Sequence, residues 1–543
     1  MADAFYKVPK AVNEPYYAYA PGSAERTALK AALKEAKSQT IDIPMTINGE
    51  KITSGEKISI HPPHELQHTL GHYYKGGASE VNQAIEAALA AKPAWEAMPW
   101  QDRAGIFLRA AELLTGPYRY KMNAATMLCQ SKNPWQAEIE SAGELADFWR
   151  FGAEQMTEMY QIQPYSPKGV WNRMEYRPLE GFVFAITPFN FTAIAGNLPS
   201  APAMLGNTVV WKPAESQIYS AVIIMDILEE AGLPKGVINL VMADGPVAGD
   251  IIFDHPDFAG LHFTGSTKVF QHLWATIGKN IHKYRSYPRI VGETGGKDFV
   301  IAHPTADVPR LATALVRGAF EYQGQKCSAA SRTYVPKSIW PELKELLVKD
   351  ISSIKVGTVE DFSNFVNAVI DERAFDKIAK YIDLAHSSDE TEVIAGGTYD
   401  KSEGYFIQPT VVVTSNPNHT LMEEEIFGPV LTIYIYEDAD FEATLDLVDS
   451  TSPYALTGAV FARERGVIKH VTERLRHAAG NFYINDKPTG AIVGQQPFGG
   501  ARGSGTNDKA GAVLNLFRWV SARAIKENFV APTDYRYPFM AEK

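Results

Sequence analysis

The stretch FVFAITPFNFTAIAGNLPSAPAMLGNTVVWKPAE, residues 182–215, contains the pattern that decides the fold. An apolar run at 182–186 predicts a buried strand, and residues 198–206 predict a helix that ends at Gly206. A second apolar run, at 208–211, predicts the next strand. A strand, a helix and a second strand in succession are typical of a parallel sheet with right-handed crossovers.

The same alternation continues on the C-terminal side of this stretch. A helix is predicted at 216–232, and further strands are predicted at 237–243 and 258–264. A second half with the same alternation extends from 293 to about 487. At 543 residues the chain is too long for a single core. We therefore expect an α/β protein with two or three packed domains.

The composition argues against two classes of protein. The chain has 63 acidic and 52 basic residues and a net charge of −11, whereas a nucleic-acid-binding protein needs a basic face. No apolar run reaches the roughly 18 residues that a membrane-spanning helix requires. Its two cysteines, Cys129 and Cys327, fit a reducing compartment.

The N-terminal residues resemble neither a signal peptide nor a transit peptide. We therefore expect a cytoplasmic protein. The mitochondrial matrix is the expected location if the source is eukaryotic and a transit peptide has already been removed.

Cys327 is the strongest candidate for a reactive side chain. It lies in FEYQGQKCSAASR (320–332), where small neighbours leave room for a substrate carbonyl. The thiolate is the reactive form, and the adjacent Lys326 is a cation that can lower the pKa of the thiol. The alternative is a buried core cysteine, which is the commoner environment of a free thiol. Other segments have to supply the groups that a nucleophile needs.

Two polar residues at predicted strand ends are of the right type. Asn190 follows the strand at 182–186, and a side-chain amide there is a candidate oxyanion donor. Glu293, in the segment ETGGK, is a candidate general base if it can reach the nucleophile. Turn formation is the alternative role for both residues.

Three further turns are candidates for binding a dinucleotide, although the chain contains no G-x-G-x-x-G. Ser266 lies between a strand and a helix, where a helix N-terminus can hold a pyrophosphate. Glu215, which follows Lys212, can accept a hydrogen bond from a ribose 2′-hydroxyl. Glu425 and Phe427 are placed to contact a ribose and a ring. Helix capping, an exposed turn and solvated acids are the respective alternatives.

The segment His64-Glu65-Leu66-Gln67-His68 matches the zinc-protease pattern H-E-x-x-H, but we predict no metal site. That chemistry needs both histidines on one face of a helix. Here Pro62 and Pro63 precede the segment and Gly71 closes it. We interpret the segment as a surface loop.

These turns occur in an order that resembles the aldehyde dehydrogenase superfamily, over nearly the whole chain. The matching segments are TPFNF (187–191), WKPAE (211–215), FTGS (263–266), ETGGK (293–297), GQKCSAASR (324–332), EEEIFGP (423–429) and QQPFGG (495–500). The residues around Cys327 and the run NFYINDK at 481–487 are most similar to the branch that oxidises glutamate semialdehyde.

The resemblance implies an aldehyde dehydrogenase-like α/β fold with three parts. A Rossmann-like NAD-binding domain is expected from 1–165 and 186–293, and an α/β catalytic domain from 294–507. A small β oligomerisation flap is expected from 166–185 and 508–543. Because such a flap pairs subunits, we expect a homodimer or a higher homo-oligomer.

The resemblance also implies a reaction, the NAD-dependent oxidation of glutamate semialdehyde to L-glutamate in proline degradation. Cys327 would attack the aldehyde as a thiolate, the Asn190 amide would bind the oxyanion, and Glu293 would activate water. Five residues match the family's cofactor positions: Lys212, Glu215, Ser266, Glu425 and Phe427. Of these, Glu215 favours NAD over NADP.

For the substrate, which is a small molecule, the resemblance implies an anchor for its carboxylate and a partner for its ammonium. Six residues match the family's substrate positions: Ser328, Gly490, Ala491, Phe498, Glu144 and Lys326. The backbone N–H groups of Gly490 and Ala491 would bind the carboxylate, and Glu144 would face the ammonium. Some members carry a hydroxyl where this chain has Ala491, so one side-chain contact is missing.

Two alternatives to this function remain at the level of sequence. A dehydrogenase of another semialdehyde, such as succinate semialdehyde, would use the same catalytic residues. A structural protein on the same scaffold could lose Cys327, Asn190 or Glu293 without harm, yet all three are present.

Overall fold

Strands and helices alternate along most of the chain, and the computed structural model describes residues 4–542. The strands are β1 (Ile41–Ile43), β2 (Met45–Ile47), β3 (Glu50–Ile52), β4 (Glu56–Ile60), β5 (Gly71–Lys75), β6 (Val170–Pro178), β7 (Phe182–Ile186), β8 (Thr208–Lys212), β9 (Ile238–Leu240), β10 (Phe258–Thr264), β11 (Arg289–Glu293), β12 (Asp298–Ala302), β13 (Ala330–Pro336), β14 (Thr391–Ala395), β15 (Tyr399–Asp400), β16 (Phe406–Ile407), β17 (Thr410–Thr414), β18 (Val430–Tyr436), β19 (Tyr454–Ala455), β20 (Thr457–Phe461), β21 (Asn481–Ile484), β22 (Ala501–Arg502) and β23 (Val520–Asn528).

The α-helices cover the faces of the sheets that these strands form. They are α1 (Ala24–Ser38), α2 (Ala78–Ala97), α3 (Trp100–Thr115), α4 (Arg119–Gln130), α5 (Pro134–Ala137), α6 (Leu145–Tyr160), α7 (Thr192–Met204), α8 (Ile218–Ala231), α9 (Gly245–Ile252), α10 (Thr267–Lys279), α11 (Val308–Phe320), α12 (Trp340–Ser353), α13 (Glu372–Ser387), α14 (Thr420–Glu423), α15 (Phe441–Ser450), α16 (Arg465–Arg474) and α17 (Val513–Leu516). A π-helical segment, Glu138–Glu144, joins α5 to α6. Among the described residues, none of these helices is both long and apolar enough to cross a membrane.

The first of two large sheets has seven strands in the order β11-β10-β7-β8-β9-β2-β3. The strands from β7 to β11 are parallel, and β2 and β3 add an antiparallel edge. The chain runs outward from β7 through β8 to β9, then returns to the other side of β7 for β10 and β11. In sheets of this kind, ligands bind where the order reverses, outside the carboxyl ends of the strands. Here that position lies between β7 and β10.

The second large sheet also has seven strands, in the order β14-β17-β18-β13-β12-β20-β21, and is parallel apart from β14. Its strands are apolar on both faces, as strands buried between two layers of helices must be. In β12, Phe299 and Ile301 pack into the core on one face, whereas Val300 and Ala302 pack into the core on the other.

The two large sheets meet across a very short connection. Only residues 294–297 separate the end of β11 from the start of β12. Because an extended residue spans about 3.3–3.6 Å, the carboxyl end of β11 lies within about 18 Å of the amino end of β12. This connection places the ligand-binding edge of the first sheet beside the N-terminal ends of strands in the second.

A two-stranded ribbon leaves this main body. β6 pairs with β23 in an antiparallel ladder that runs from Pro178↔Val520 to Val170↔Asn528. Residues 166–185 therefore do not form a hairpin on their own, because the partner of β6 comes from the C-terminal segment. The predicted flap boundary at 185 is also wrong, since it would cut through β7, at the centre of the first sheet.

Candidate active site

The loop that carries Cys327 joins α11 to β13 and begins with a left-handed turn. Tyr322, Gln323 and Gly324 have φ angles of 50°, 54° and 66°. A Cβ added to Gly324 would lie 2.2 Å from the carbonyl oxygen of Gly428, so this position requires glycine. Left-handed non-glycine residues cost about 1 kcal/mol or more each, so the surrounding structure must hold the turn.

Two buried glutamine side chains hold this turn in place. Gln323 Nε2 donates to the carbonyl oxygens of Ser131, at 2.9 Å, and Ala368, at 2.7 Å. Gln325 Oε1 accepts a hydrogen bond of 2.9 Å from the backbone N–H of Ile370. These bonds attach the nucleophile loop to the end of α4 and to residues 368–370. The position of the thiol is thereby fixed by contacts to distant parts of the chain.

The environment of Cys327 disfavours the thiolate. Burial raises the pKa of the thiol well above its usual range, and the carboxylates of Asp298 and Glu293 raise it further. Lys326 does not offset this, because its ammonium donates to Glu321 Oε2 at 3.1 Å. The prediction that Lys326 lowers the pKa of Cys327 is therefore wrong for the ligand-free protein.

Glu293 is the last residue of β11, and its carboxylate faces the backbone of the QQPFGG segment. A Cβ added to Gly499 would lie 3.0 Å from Glu293 Oε1, and the backbone N–H of Gly500 donates to the carboxylate. Burial raises the pKa of Glu293, and the ammonium of Lys509 opposes that shift. A carboxylate of raised basicity is suited to accept a proton from water.

Asn190 lies in the turn after β7, with its side chain directed at the loop that carries Cys327. Its Nδ2 donates to the carbonyl oxygen of Gln325 at 3.1 Å. A side-chain amide carries two N–H groups, and the second N–H of Asn190 donates to no acceptor in the described part of the chain. Asn190 is buried, and its side-chain amide lies against the nucleophile loop at Gln325.

Lys212 and Glu215 lie at the carboxyl end of β8. Lys75 Nζ is 3.6 Å from Glu215 Oε1 and 2.6 Å from Asp244 Oδ1, and the Tyr73 hydroxyl also bonds Glu215. Burial lowers the pKa of Lys212, although Glu215 and Asp244 oppose that shift. The two acids place negative charge at the edge where the first sheet would receive a ribose.

Ser266 caps the N-terminus of α10. Its Oγ accepts a hydrogen bond of 3.4 Å from the backbone N–H of Val269, and its side chain is exposed. The helix begins at the carboxyl end of β10, where the strand order of the first sheet reverses. Because backbone N–H groups and the helix dipole favour an anion at such a terminus, this position suits a pyrophosphate.

Glu425 and Phe427 face the same space from the second sheet. Glu425 Oε1 accepts a hydrogen bond of 2.9 Å from the backbone N–H of Gly296. A Cβ added to Gly295 would lie 2.3 Å from both oxygens of that carboxylate, so only glycine allows this approach. The Phe427 ring meets the Phe189 ring edge-on, with centroids 5.8 Å apart. Glu215 on the first sheet, Glu425 beside the second and the N-terminus of α10 are the groups that a dinucleotide such as NAD requires for its riboses and pyrophosphate.

The residues predicted to bind the substrate carboxylate lie near one another in the loop after β21. The Oγ atoms of Ser328 and Thr489 share a hydrogen bond of 2.7 Å. Gly490 and Ala491 follow Thr489 directly, so the structure brings these three predicted positions together. Thr489 was not predicted from the sequence. A search of the sequence for a hydroxyl close to Ala491 would have identified Thr489, which lies two residues earlier.

Glu144 and Lys326 lie in a cluster of buried charges near this anchor. Lys326 and Lys487 donate to Glu321 Oε2 at 3.1 and 2.9 Å. Although burial opposes it, these ammonium groups lower the pKa of Glu321 to about 2. Burial and Glu140 raise the pKa of Glu144 to about 8, although the ammonium groups of Lys132 and Lys326 oppose the shift. A carboxyl group of this kind is suited to a cationic ligand.

Phe498 lies beside the carboxylate of Glu293, one residue before Gly499. Its backbone pairs with Ala510 through hydrogen bonds of 3.0 and 2.7 Å. The ring is half-buried, which leaves part of its face available to an aliphatic stem.

The H-E-x-x-H segment lies in turns between β4 and β5, not on a helix. The loop is confirmed, but the interpretation of it as a surface segment is wrong for His64. That side chain is buried, and its Nδ1 lies 3.0 Å from Ser131 Oγ. Burial lowers the pKa of His64 to about 4. Within residues 4–542, no three His, Cys, Asp or Glu side chains are grouped closely enough to hold a metal ion.

A family model confirms what this arrangement indicates. The aldehyde dehydrogenase family model matches residues 51–521. The chain belongs to the aldehyde dehydrogenase family. The predicted fold class is therefore confirmed, including its mixed α/β architecture.

Members of the family with assigned names are similar over almost the whole chain. The chain is 53% identical over 540 residues to delta-1-pyrroline-5-carboxylate dehydrogenase of Agaricus bisporus, and this similarity covers 98% of each of the two chains. It is 47% identical over 532 residues to the mitochondrial delta-1-pyrroline-5-carboxylate dehydrogenase of Homo sapiens, which covers 98% of this chain and 94% of the human one. The fold is shared with the crystal structure of the Mycobacterium tuberculosis enzyme of the same name bound with NAD. That structure has a TM-score of 0.96 and 52% identity, over 99% of this chain and 100% of that one.

Proposed function

We propose that this aldehyde dehydrogenase oxidises L-glutamate γ-semialdehyde to L-glutamate with NAD, the second step of proline degradation. The observation that carries the proposal is the placement of Cys327, the free N–H of Asn190 and Glu293 around the junction of the two sheets. Relatives named for delta-1-pyrroline-5-carboxylate, the cyclic form that equilibrates with this aldehyde, support the choice of substrate.

The first step forms a covalent adduct on Cys327. The deprotonated sulfur bonds to the aldehyde carbon, and the π electron pair of the carbonyl moves to its oxygen. The free N–H of Asn190 and the backbone N–H of Cys327 are the donors for this oxyanion. The protein contributes most by holding both donors before the reaction begins, because no reorganisation is then required.

NAD fits the edge formed by Ser266, Glu215 and Glu425. When bound, it supplies the acceptor for the hydride of the aldehyde carbon, which leaves a thioester on Cys327. The acid at 215 accepts a hydrogen bond from a ribose 2′-hydroxyl and repels a 2′-phosphate, which favours NAD over NADP. Lys212 and Phe427 complete the proposed cofactor contacts.

The second step releases the product. Glu293 takes a proton from water, and the water oxygen bonds to the thioester carbon. The carbon–sulfur bond then breaks, and its electron pair returns to the sulfur of Cys327. The products are L-glutamate, the Cys327 thiolate and a proton on Glu293 that passes to solvent. The two electrons of the oxidation have already left with the hydride accepted by NAD.

Substrate selection rests on the two ends of the amino acid. The backbone N–H groups of Gly490 and Ala491, with the hydroxyls of Ser328 and Thr489, receive the carboxylate. Glu144 receives the α-ammonium, whose positive charge favours ionisation of a carboxyl group that burial otherwise keeps protonated near pH 7. Lys326 stands beside it, and Phe498 packs on the aliphatic stem.

A panel of three aldehydes tests this assignment with NAD as the oxidant. We expect kcat/KM for L-glutamate γ-semialdehyde to exceed that for succinate semialdehyde. It should also exceed, by about 10-fold or more, that for 5-oxopentanoate, which has the same chain without the amino group. Faster turnover of succinate semialdehyde would contradict the proposed substrate. Retained activity in Cys327→Ala would contradict the nucleophile, and would favour a different use of the scaffold.

The proposed organisation follows from the same elements. The first sheet with its helices forms the NAD-binding domain, and the second sheet forms the catalytic domain from about 294 to 507. The β6–β23 ribbon forms a flap that pairs subunits in a homodimer or higher homo-oligomer. We propose a cytoplasmic location, or the mitochondrial matrix in a eukaryote, where relatives named as mitochondrial occur.

A further inference from the structure

A buried ammonium group lies directly behind the oxyanion donor. Lys132 follows the end of α4 and is 1% exposed. Its Nζ donates to the backbone carbonyl oxygen of Asn190 at 2.5 Å and to Glu140 Oε1 at 2.6 Å. The ammonium also lies over the aromatic rings of Phe191, at 4.5 Å, and Tyr322, at 4.2 Å. Its surroundings are therefore filled by two hydrogen-bond acceptors and two ring faces.

Glu140 completes the attachment of the Asn190 turn. It is 1% exposed, and its Oε2 accepts a hydrogen bond of 3.2 Å from the backbone N–H of Ala193 in the first turn of α7. The N-cap residue of α7 is Phe191, which has no side-chain oxygen to offer. Glu140 therefore takes the place of a capping side chain, and its negative charge favours that helix terminus. Lys132 and Glu140 together hold the turn at the carbonyl of Asn190 and at the start of the helix that follows it.

The same segment also holds the nucleophile loop. The carbonyl oxygen of Ser131 accepts the Nε2 hydrogen bond of Gln323, and the ring of Tyr322 lies under the Lys132 ammonium. Tyr322 and Gln323 are the two non-glycine residues of the left-handed turn that leads to Cys327. One dipeptide, Ser131-Lys132, thus contacts both loops that must meet at the reacting carbonyl.

We infer that Lys132 is a positioning residue for the oxyanion hole, which fixes the Asn190 amide relative to the Cys327 loop. It acts through Asn190 and touches neither substrate nor cofactor. Without it, the Asn190 peptide loses a buried hydrogen bond and is free to rotate, so the free Nδ2–H no longer points at the oxyanion. The inference rests on the proposed chemistry only to the extent that the reaction passes through an oxyanion.

A second buried ion pair provides a matched control. Arg119, in α4, pairs with Glu138 of the π-helical segment, and both side chains are at most 2% exposed. This pair is built from the same two regions of the chain as Lys132 and Glu140. Its other contacts go to Asn123 in α4 and to the N-terminal segment, at Glu14, Pro15, Tyr17 and Tyr19, not to either catalytic loop.

The test is a double-mutant cycle on kcat. We expect Lys132→Met to lower kcat about 100-fold, the loss typical of removing one oxyanion donor. The KM values for NAD and for succinate semialdehyde, which has no ammonium group, should change by less than about 3-fold. The KM for glutamate semialdehyde is not used as the readout, because Lys132 also lowers the pKa of Glu144. In an Asn190→Ala background, Lys132→Met should lower kcat further by less than about 3-fold, since the group it positions is gone.

Two results would overturn the inference. One is an unchanged kcat per folded molecule in Lys132→Met. The other is a further loss of about 100-fold in the Asn190→Ala background, which would mean that the two residues act independently. The control Arg119→Met/Glu138→Gln should fold less stably but keep a kcat within about 2-fold of the wild type.

A second variant guards against misfolding. Lys132→Met/Glu140→Gln removes both charges of the pair, so neither is left buried without its partner. The variant should be recovered folded and still show the loss in kcat. The cycle is measured with both glutamate semialdehyde and succinate semialdehyde. A positioning role predicts the same fold-loss with each, whichever the wild type prefers. If the proposed substrate is wrong, only the preference of the wild type between the two aldehydes differs from our expectation. Failure of the substrate assignment can therefore be told apart from failure of the positioning role.

Discussion

At the scale of single residues, the chemistry depends on how charges are arranged around one thiol. Burial, Asp298 and Glu293 all raise the pKa of Cys327, and its own backbone N–H lowers it. The reactive thiolate is therefore scarce in the ligand-free protein. A thiol that stays protonated is also less susceptible to oxidation, because susceptibility follows thiolate character.

Alkylation of Cys327 should report this directly. In the ligand-free protein, iodoacetamide should modify Cys327 slowly at pH 7 and about 10-fold faster for each unit of pH up to 9, because only the thiolate reacts and its pKa is raised. Peptide mapping by mass spectrometry measures the rate. Cys129 is the internal control, since it is buried and should stay unmodified. A rate that no longer rises above pH 7 would mean that the thiol is already ionised.

Cofactor choice should depend on Glu215. Replacing it in Glu215→Gln removes the charge that repels a 2′-phosphate, so the ratio of kcat/KM for NADP to that for NAD should rise by about 10-fold. Steady-state kinetics with both cofactors measure the ratio. Glu229→Gln is the control, because Glu229 is another acid of the first domain and pairs with Lys51 on the surface. An unchanged ratio in Glu215→Gln would show that another group sets the preference.

Residue types and order were enough to predict which side chains the structure places near the thiol. Asn190 follows β7 and Glu293 ends β11, and the carboxyl ends of parallel strands meet at one edge of the sheet. The direction of the Lys326 side chain was not predictable, because Glu321, its partner, competes for the ammonium only once the loop is folded. Thr489 was missed for a similar reason, since its contact with Ser328 exists only in three dimensions.

At the scale of elements, the left-handed turn before Cys327 determines where the nucleophile stands. The strand and helix pattern around it could be read from apolar runs, as at 182–186 and 208–211. The turn itself could not, because Tyr322 and Gln323 are not residues that favour positive φ. It exists because Gln323 finds two buried carbonyl acceptors, which only the tertiary fold supplies.

Gln323→Ala should therefore destabilise the protein. The change leaves the carbonyl oxygens of Ser131 and Ala368 buried without this donor, at a cost of about 2–4 kcal/mol in the free energy of unfolding. Denaturant titration measures that free energy. Gln163→Ala is a matched control, because Gln163 also bonds to two backbone carbonyls but lies on the surface. Water can replace those bonds, so the control should cost less than about 0.5 kcal/mol. Equal costs in the two variants would contradict the role of the Gln323 bonds.

At the scale of the whole molecule, catalytic groups from two sheets meet across the four residues at 294–297. Neither sheet carries a complete site, because Asn190 and Glu293 come from the first and Cys327 precedes a strand of the second. The alternation that predicted two α/β halves therefore predicted where the site lies. The alternation did not predict that β6 pairs with a strand from the end of the chain. That expectation came only from the family resemblance, which combines 166–185 with 508–543 in one flap.

Removing β23 should abolish the proposed oligomer without unfolding the subunit. A chain that ends at Trp519 keeps both large sheets but leaves β6 without its ladder. We expect analytical ultracentrifugation to show monomers for this truncation, whereas circular dichroism should show retained α/β structure. A truncation after Phe529, which keeps β23, is the control and should stay oligomeric. An oligomer that survives loss of 520–543 would place the subunit interface elsewhere.

The β6–β23 pairing also has a consequence for biosynthesis. More than three hundred residues separate the two strands, so at about 5–20 residues/s β6 emerges from the ribosome roughly 20–70 s before its partner. During that interval it is an open edge that other nascent chains could join. Arg173, Glu175 and Arg177 place charge along this strand and discourage such contacts. When β23 arrives, Arg173 pairs with Glu527 and Glu175 pairs with Arg523, so the charges that discourage other contacts also favour the correct register.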